Sequence, residues 1–342
     1  MSTGTSADGE VGDGTEESQS LTLVQAVRDA LETEMQRDDD VLVMGEDVGR
    51  NGGVFRATEG LYDEFGGERV IDTPLAESGI VGTAIGIAAY GLRPVAEIQF
   101  MGFIYPALDQ IVSHAARLRT RSRGRFSCPL VVRAPYGGGI HAPEHHSEST
   151  EAFFAHYPGL KVVVPSTPYD AKGLLINAIR DPDPVVFLEP KMIYRAFREE
   201  VPTDEYEVPL GSAEVRREGE DVTVFSWGAM ARRSAEAVDD LSEEGIDAEV
   251  VDLRTLSPLD RETLVESFKK TGRAVVVHEA PRTGGFAGEV VSTLQEEALL
   301  YQEAPVERVT GFDVPYPLSK LENSYLPGEK RIKEAVRKTV EF

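Results

Sequence analysis

Cysteine is almost missing from this chain: Cys128 is the only one in 342 residues. That excludes an internal disulfide framework and any iron–sulfur ligation within the chain. Positive charge is also scarce, with 35 Lys and Arg against 59 Asp and Glu, a formal net charge of −24, and no lysine before Lys161. Nucleic acids and anionic membrane surfaces are polyanions, so neither is expected as a partner. The acidity reads as a solvated surface, either one tuned to high salt, where screening removes the self-repulsion, or that of an ordinary acidic soluble protein. Long apolar runs are absent too. The longest uncharged stretch near Glu77 ends at Arg93 and is too short and too glycine-rich for a membrane span. The acidic, polar amino terminus lacks the basic-then-apolar order of a secretory signal, so the expected compartment is the cytoplasm. No repeat of 20–50 residues is visible.

What is present is an ordinary globular composition, 41 % hydrophobic, in a chain long enough for two domains with cores of their own. Residues 1–20 form a Ser/Thr/Gly/Asp/Glu tail, expected to be disordered. From Leu21 the pattern is regular. LTLVQAVRDALETEM has helical spacing and VLVMG reads as a strand; PVAEIQF reads as a strand and FIYPALDQIVSHAARL as an amphipathic helix. PLVVRAPYG, KVVVPSTP and PVVFLEP continue as strands, separated by the helices EAFFAHYPG and YDAKGLLINAIRD. Helices alternating with short β-branched runs predict an α/β domain over 21–196, its mainly parallel sheet covered on both faces. A polar, proline-bearing linker is expected at 197–210, then a smaller α/β domain over 211–342.

Three constellations carry candidate chemistry. Glu77 stands alone at the start of ESGIVGTAIGIAAY. With Thr73 as helix N-cap and Pro74 in the first turn, Glu77 falls one place too late for a capping box. It is either a helix-dipole device or, held away from water among small residues, a carboxyl group that stays protonated as a donor. The second is the loop APYGGGIHAPEHHSEST, between a strand and a helix, where open α/β sheets bind ligands. His141, His145 and His146 crowd it. Zinc lacks a third ligand or a cysteine there, whereas a general acid/base histidine suits neutral pH. His114 and His156 read as packing or helix-end residues. The third is Gln99 and Phe103 past a strand end, an aromatic that is core or a flat wall for a heteroaromatic ring. Gly12-Asp13-Gly14 has no preceding strand and no asparagine at the interval a diphosphate–magnesium signature needs. The GGFAG turn is a weak phosphate signal.

With DTPLAESGIVGTAIGIA, AEIQF, HHSES-EAFFAHYPGLKVVVPSTPYDAKGLL, PVVFLEPKMIYR, VVDLRTLSPLD and HEAPRTGGFAGEV in one order, the chain resembles a known family. That family is the beta subunits of the decarboxylating component of 2-oxo acid dehydrogenase complexes. EIQF, EAFFAH-PG and EPK--YR lean toward the branched-chain type. The resemblance implies a thiamine pyrimidine-binding domain followed by a transketolase-type carboxy-terminal domain. It also implies thiamine diphosphate shared with an alpha subunit that holds the magnesium, in a heterotetramer, and a lipoyl-bearing acyltransferase as second partner. Glu77 then matches the glutamate that bonds a pyrimidine ring nitrogen, Phe103 the aromatic against that ring, and Gln99 and Leu75 its pocket contacts. His146 matches the histidine of acyl transfer to lipoyl groups, although HSE stands where relatives often have HSQ. A potassium site would use carbonyls at Leu130 and Ala178 plus Asp181, with Asp183 where asparagine is common. The rivals are an acetoin dehydrogenase, a ferredoxin-linked oxidoreductase whose cysteine cluster lies on another subunit, and a non-catalytic assembly subunit.

Overall fold

The computed structural model describes residues 17–342. Residues 1–16, with most of the expected tail and the Gly12-Asp13-Gly14 motif, lie outside the described residues. The rest of the tail expectation is corrected. Ser18–Leu21 is a strand paired antiparallel with Glu199–Pro202, which itself falls inside the expected linker. The linker is fixed further along: Val208 N–H donates to the Gly173 carbonyl at 3.1 Å, and Tyr206 and Val208 close over Gly173.

Seven strands form the first sheet, in the order Thr255–Ser257, Lys161–Val163, Val185–Pro190, Val131–Tyr136, Arg93–Glu97, Val41–Gly45, Val70–Asp72. All pairings are parallel except that of Thr255–Ser257. The inner strands Val41–Gly45, Val131–Tyr136 and Val185–Pro190 are buried along their whole length. That is why they read as continuous β-branched runs rather than alternating ones. Helices Leu23–Arg37 and Pro168–Arg180 pack together on one face, the first opened by a Thr22/Gln25 capping box and the second by Pro168 at its first turn. Lys172 is fully buried between them, its ammonium 2.8 Å from Asp29.

The second sheet has five strands, Glu307–Val309, Ala274–Val277, Val222–Ser226, Ala248–Asp252 and Glu214–Arg217, the last antiparallel. The apolar stretch AEVVDLRTL is divided at Leu253–Arg254. Ala248–Asp252 stays in the second sheet, while Thr255–Ser257 crosses to form the edge of the first. The two domains are therefore joined by strand pairing as well as by side-chain packing.

Two helix expectations are also corrected. The stretch 101–121 is not one helix but a chain of short 3-10, π and α turns, interrupted near Pro106, although its apolar positions (Ile104, Ala107, Ile111, Ala115) are buried as a helix would bury them. Thr73 does not cap the next helix; Pro74, Leu75 and Ala76 remain non-helical, and the helix is Glu77–Tyr90 with Glu77 as its first residue.

Beneath the strand ends lies a buried ionic group. Arg133 on the central strand donates from Nε and Nη2 to Glu189 at 2.7 and 2.8 Å, and from Nη1 to Glu97 on the opposite neighbour. Tyr194 donates its hydroxyl to Glu189 at 2.5 Å. Burial holds the Glu97 carboxyl above its usual range against the pull of Arg133. One guanidinium thus serves two carboxylates, and deleting it would leave both uncompensated. Arg133→Met should lower the unfolding free energy by about 3–5 kcal/mol in urea titrations, the cost of breaking a buried pair from one side. A loss below about 1 kcal/mol, the range of an exposed pair, would show that the group is not shielded from water.

Candidate active site at the strand ends

The candidate residues emerge where parallel strands end, the location at which open α/β sheets bind ligands. Glu46 and Asp47 follow Val41–Gly45, Glu77 follows Val70–Asp72, Gln99 and Phe103 follow Arg93–Glu97, and His146 follows Val131–Tyr136. Gln99 Nε2 donates to Asp47 Oδ2 at 3.3 Å, tying two of these loops together. The Ser78 hydroxyl donates to the Pro106 carbonyl, which fixes the start of the Glu77 helix against the segment that follows Phe103.

Glu77 is 9 % exposed, and its carboxylate makes no hydrogen bond or ion pair among the described residues. The helix N-terminus offsets part of that cost, about 0.3–1 kcal/mol at an exposed site. Its surroundings add to the cost. The Glu46 carboxyl is raised above its usual range by burial first, then by Asp47 and Glu77. No Lys, Arg or His pairs with any of these three acids among the described residues. Beside them Leu75 is 67 % exposed, so a large apolar side chain faces outward next to an unpaired buried acid. An acceptor-rich, half-apolar group of side chains of this kind is complemented by a partner that offers hydrogen-bond donors.

An aromatic row runs through the neighbouring strand-end loops. The Phe100 ring stacks on His146 with centroids 3.9 Å apart, and Phe103 meets the same imidazole edge-on at 5.0 Å. Phe55 continues from Phe100 to Tyr194 at 5.4 and 5.3 Å. The turn Glu144–His146 rests directly on Gly102, where a Cβ would come within 1.6 Å of the His145 carbonyl oxygen. Only glycine allows that approach. His146 Nδ1 is buried without a partner among the described residues. Burial, then His145 and Lys191, push the His146 imidazole below its usual 6.5, so it is neutral and able to take a proton at pH 7.

The structure thus brings Phe103 onto His146 and links Gln99 to the acid cluster. The four positions named for potassium lie elsewhere. Asp181 is paired with the Lys161 ammonium and accepts from Asp183 N–H at 2.9 Å, and Asp183 is paired with Arg119 Nε at 2.6 Å. Leu130 already accepts from Val185 N–H at 2.9 Å. His141 is drawn away from His145 and His146: its backbone N–H and Nδ1 are both 2.9 Å from Glu322. His114 and His156 stand at the ends of helical turns. Sequence reading passed over Phe100 as a functional residue, although it closes the EIQF motif. It also missed Lys191, buried with Nζ unpartnered and pushed down to about 7 by burial.

Residues 19–196 match the family described as transketolase, pyrimidine binding domain, and 211–332 match transketolase, C-terminal domain. The pyruvate dehydrogenase E1 component subunit beta of Bacillus subtilis (strain 168) is 55 % identical over 94 % of this chain and 99 % of that protein. Proteins of the same name from Staphylococcus epidermidis and Staphylococcus aureus are 54 % and 52 % identical over the same shares. The chain belongs to the pyruvate dehydrogenase E1 beta family. Among solved structures, a split gene transketolase, described as an inactive beta4 tetramer, superposes with a TM-score of 0.78 at 25 % identity, covering 94 % of this chain and 98 % of that one. The lean toward the branched-chain type finds no support among these relatives, whose names are all of the pyruvate type.

The stacked, partly buried imidazole gives a direct check. In an NMR titration of histidine-labelled protein, His146 should titrate below 6.5. Phe100→Ala should move it upward by readmitting water, since burial is the largest cause of the shift. A midpoint at or above 6.5, or one that Phe100→Ala leaves in place, would contradict the geometry.

Proposed function

We propose that this chain is the beta half of a pyruvate dehydrogenase E1 enzyme. In this reading it works with an alpha subunit, as an alpha2beta2 heterotetramer, to decarboxylate pyruvate oxidatively and pass the acyl group to lipoyl groups of an acyltransferase component. The observation that carries this reading is Glu77, a buried carboxylate without a partner of its own at the mouth of a sheet of the pyrimidine-binding family. The group of side chains around it fits the pyrimidine end of thiamine diphosphate: an acid to bond a ring nitrogen, Phe103 as a flat wall, Gln99 and the exposed Leu75 at its margin. The diphosphate and magnesium fall to the alpha subunit. Among the described residues no cluster of three or more His, Cys, Asp or Glu is placed to hold a metal ion.

Bound there, the coenzyme would supply a nucleophilic ring carbon and an electron sink for decarboxylation of a 2-oxo acid. The chain's residues hold and move protons. Glu77 shares a proton with the pyrimidine nitrogen, which sets that ring's tautomer and so its basicity. Phe103 excludes water from the ring face. His146, neutral and against Phe100, gives the proton taken up when the lipoyl disulfide is opened, one sulfur becoming the acyl thioester and the other leaving as a thiol. Among the described residues no helix is long and apolar enough to cross a membrane.

Two of the four positions named for potassium, Asp181 and Asp183, have side chains that already meet cationic partners. Lys161 neutralises Asp181 and Arg119 neutralises Asp183, so the region is balanced without a metal. Equal melting temperatures in KCl and NaCl at matched ionic strength are expected; a rise specific to potassium would mean the ion displaces those side chains.

In the reconstituted alpha–beta mixture, Glu77→Gln should leave the tetramer intact. It should lower pyruvate decarboxylation, read with an artificial electron acceptor, by about 10²-fold or more, the scale of a lost acid–base group. Turnover within twofold of the unsubstituted enzyme would refute the role.

A further inference from the structure

The loop that carries His146 is held by the second domain. From residue 137 onward its backbone N–H groups point away from their own sheet. Gly138 N–H donates to Glu279 Oε2 at 2.9 Å, Gly139 N–H to Glu322 Oε1 at 2.9 Å, and His141 N–H to Glu322 Oε2 at 2.9 Å. Both acceptors are buried, and Glu322 is fully so. Glu322 Oε1 also accepts from the Tyr316 hydroxyl at 2.9 Å. Tyr316 in turn lies so close to Gly138 that a Cβ there would come within 1.9 Å of its oxygen. Gly139 rests on the Met192 side chain, which packs against Tyr316, Tyr325 and Leu326.

The loop is closed at its base by Gly137 N–H donating to the Glu148 carbonyl at 3.0 Å. Between these anchors only residues 142–147 run free of Glu322, and the histidine turn occupies them. Gly102 and Phe100 fix where the turn lands; Glu322 fixes from where it starts.

We propose that Glu322 is a positioning residue for acyl transfer: by accepting two loop N–H groups it sets the reach of the His146 imidazole. The proposal rests on the reading of His146 given above. Glu322 touches neither substrate nor coenzyme in this scheme and acts only through the loop. A carboxylate is required because all of its partners donate. With Glu322→Gln, one of the two backbone N–H groups faces an amide NH₂, donor against donor, and that side of the loop loses its acceptor. Displacements of about 1 Å at such a group cost up to ~10²-fold in rate.

The test measures two activities of each variant in the alpha–beta assembly: decarboxylation with an artificial electron acceptor, and acylation of a free lipoyl domain. Glu322→Gln should lower kcat for lipoyl acylation by about tenfold or more, with KM for the lipoyl domain and decarboxylation within twofold of the unsubstituted enzyme. Tyr316→Phe, which removes one donor to the same carboxylate, should shift acylation in the same direction by less, and it carries the test if Glu322→Gln does not assemble. His146→Ala serves as the reference. If it depresses acylation selectively while both loop variants leave acylation unchanged, the positioning role is overturned and the reading of His146 stands. If His146→Ala leaves acylation intact, that reading fails and the inference with it. A parallel fall in both activities of the loop variants would mark Glu322 as merely structural and would also overturn the proposal.

Discussion

A buried carboxylate without a protein partner organises this molecule. Glu77, 9 % exposed, sits at the start of a helix next to Glu46 and Asp47, and nothing in its own chain among the described residues neutralises or bonds it. Other buried charges are paired, Lys172 with Asp29, Arg133 with Glu97 and Glu189, and Arg254 with Asp170, while Lys191 shares with Glu77 the lack of a partner among the described residues. The contrast is informative because leaving a buried carboxylate unpaired is expensive. A second component is the economical physical account of why the acid cluster persists, and the exposed Leu75 beside it points the same way.

The rest of the fold serves to hold that cluster and the neighbouring imidazole in fixed relation. The Glu97–Arg133–Glu189 group locks three adjacent strands below the loops, and Tyr194 carries the connection up into the aromatic row that ends on His146. The second domain is part of the same construction. It lends the edge strand Thr255–Ser257 to the first sheet and reaches back with Glu279 and Glu322 to the glycine loop. Rigid placement of a proton-transferring group by elements outside its own domain reconciles a glycine-rich loop, intrinsically permissive, with a group that must be accurately aimed.

Much of this was legible in the residues themselves. The α/β alternation follows from period-2 and period-3.6 patterns, and the buried parallel strands declare themselves as β-branched runs. Glu77 stood out because a lone acid leads an otherwise small and apolar stretch. What stayed hidden depends on long-range geometry. The division of AEVVDLRTL between two sheets has no local signal, since both halves are apolar and extended. Glu322 is about 180 residues from the loop whose N–H groups it accepts, and nothing near it in sequence marks it out. The break-up of the stretch 101–121 turns on backbone packing that apolar periodicity does not record. The cationic partners of Asp181 and Asp183, Lys161 and Arg119, are likewise distant in sequence.

The central claim is that this chain holds only half of a coenzyme site. Titration calorimetry of thiamine diphosphate with magnesium, against the isolated chain and against the chain mixed with its alpha partner, tests it most directly. The account predicts no saturable binding to the isolated chain and tight, stoichiometric binding to the mixture. Equal affinity in both would contradict it.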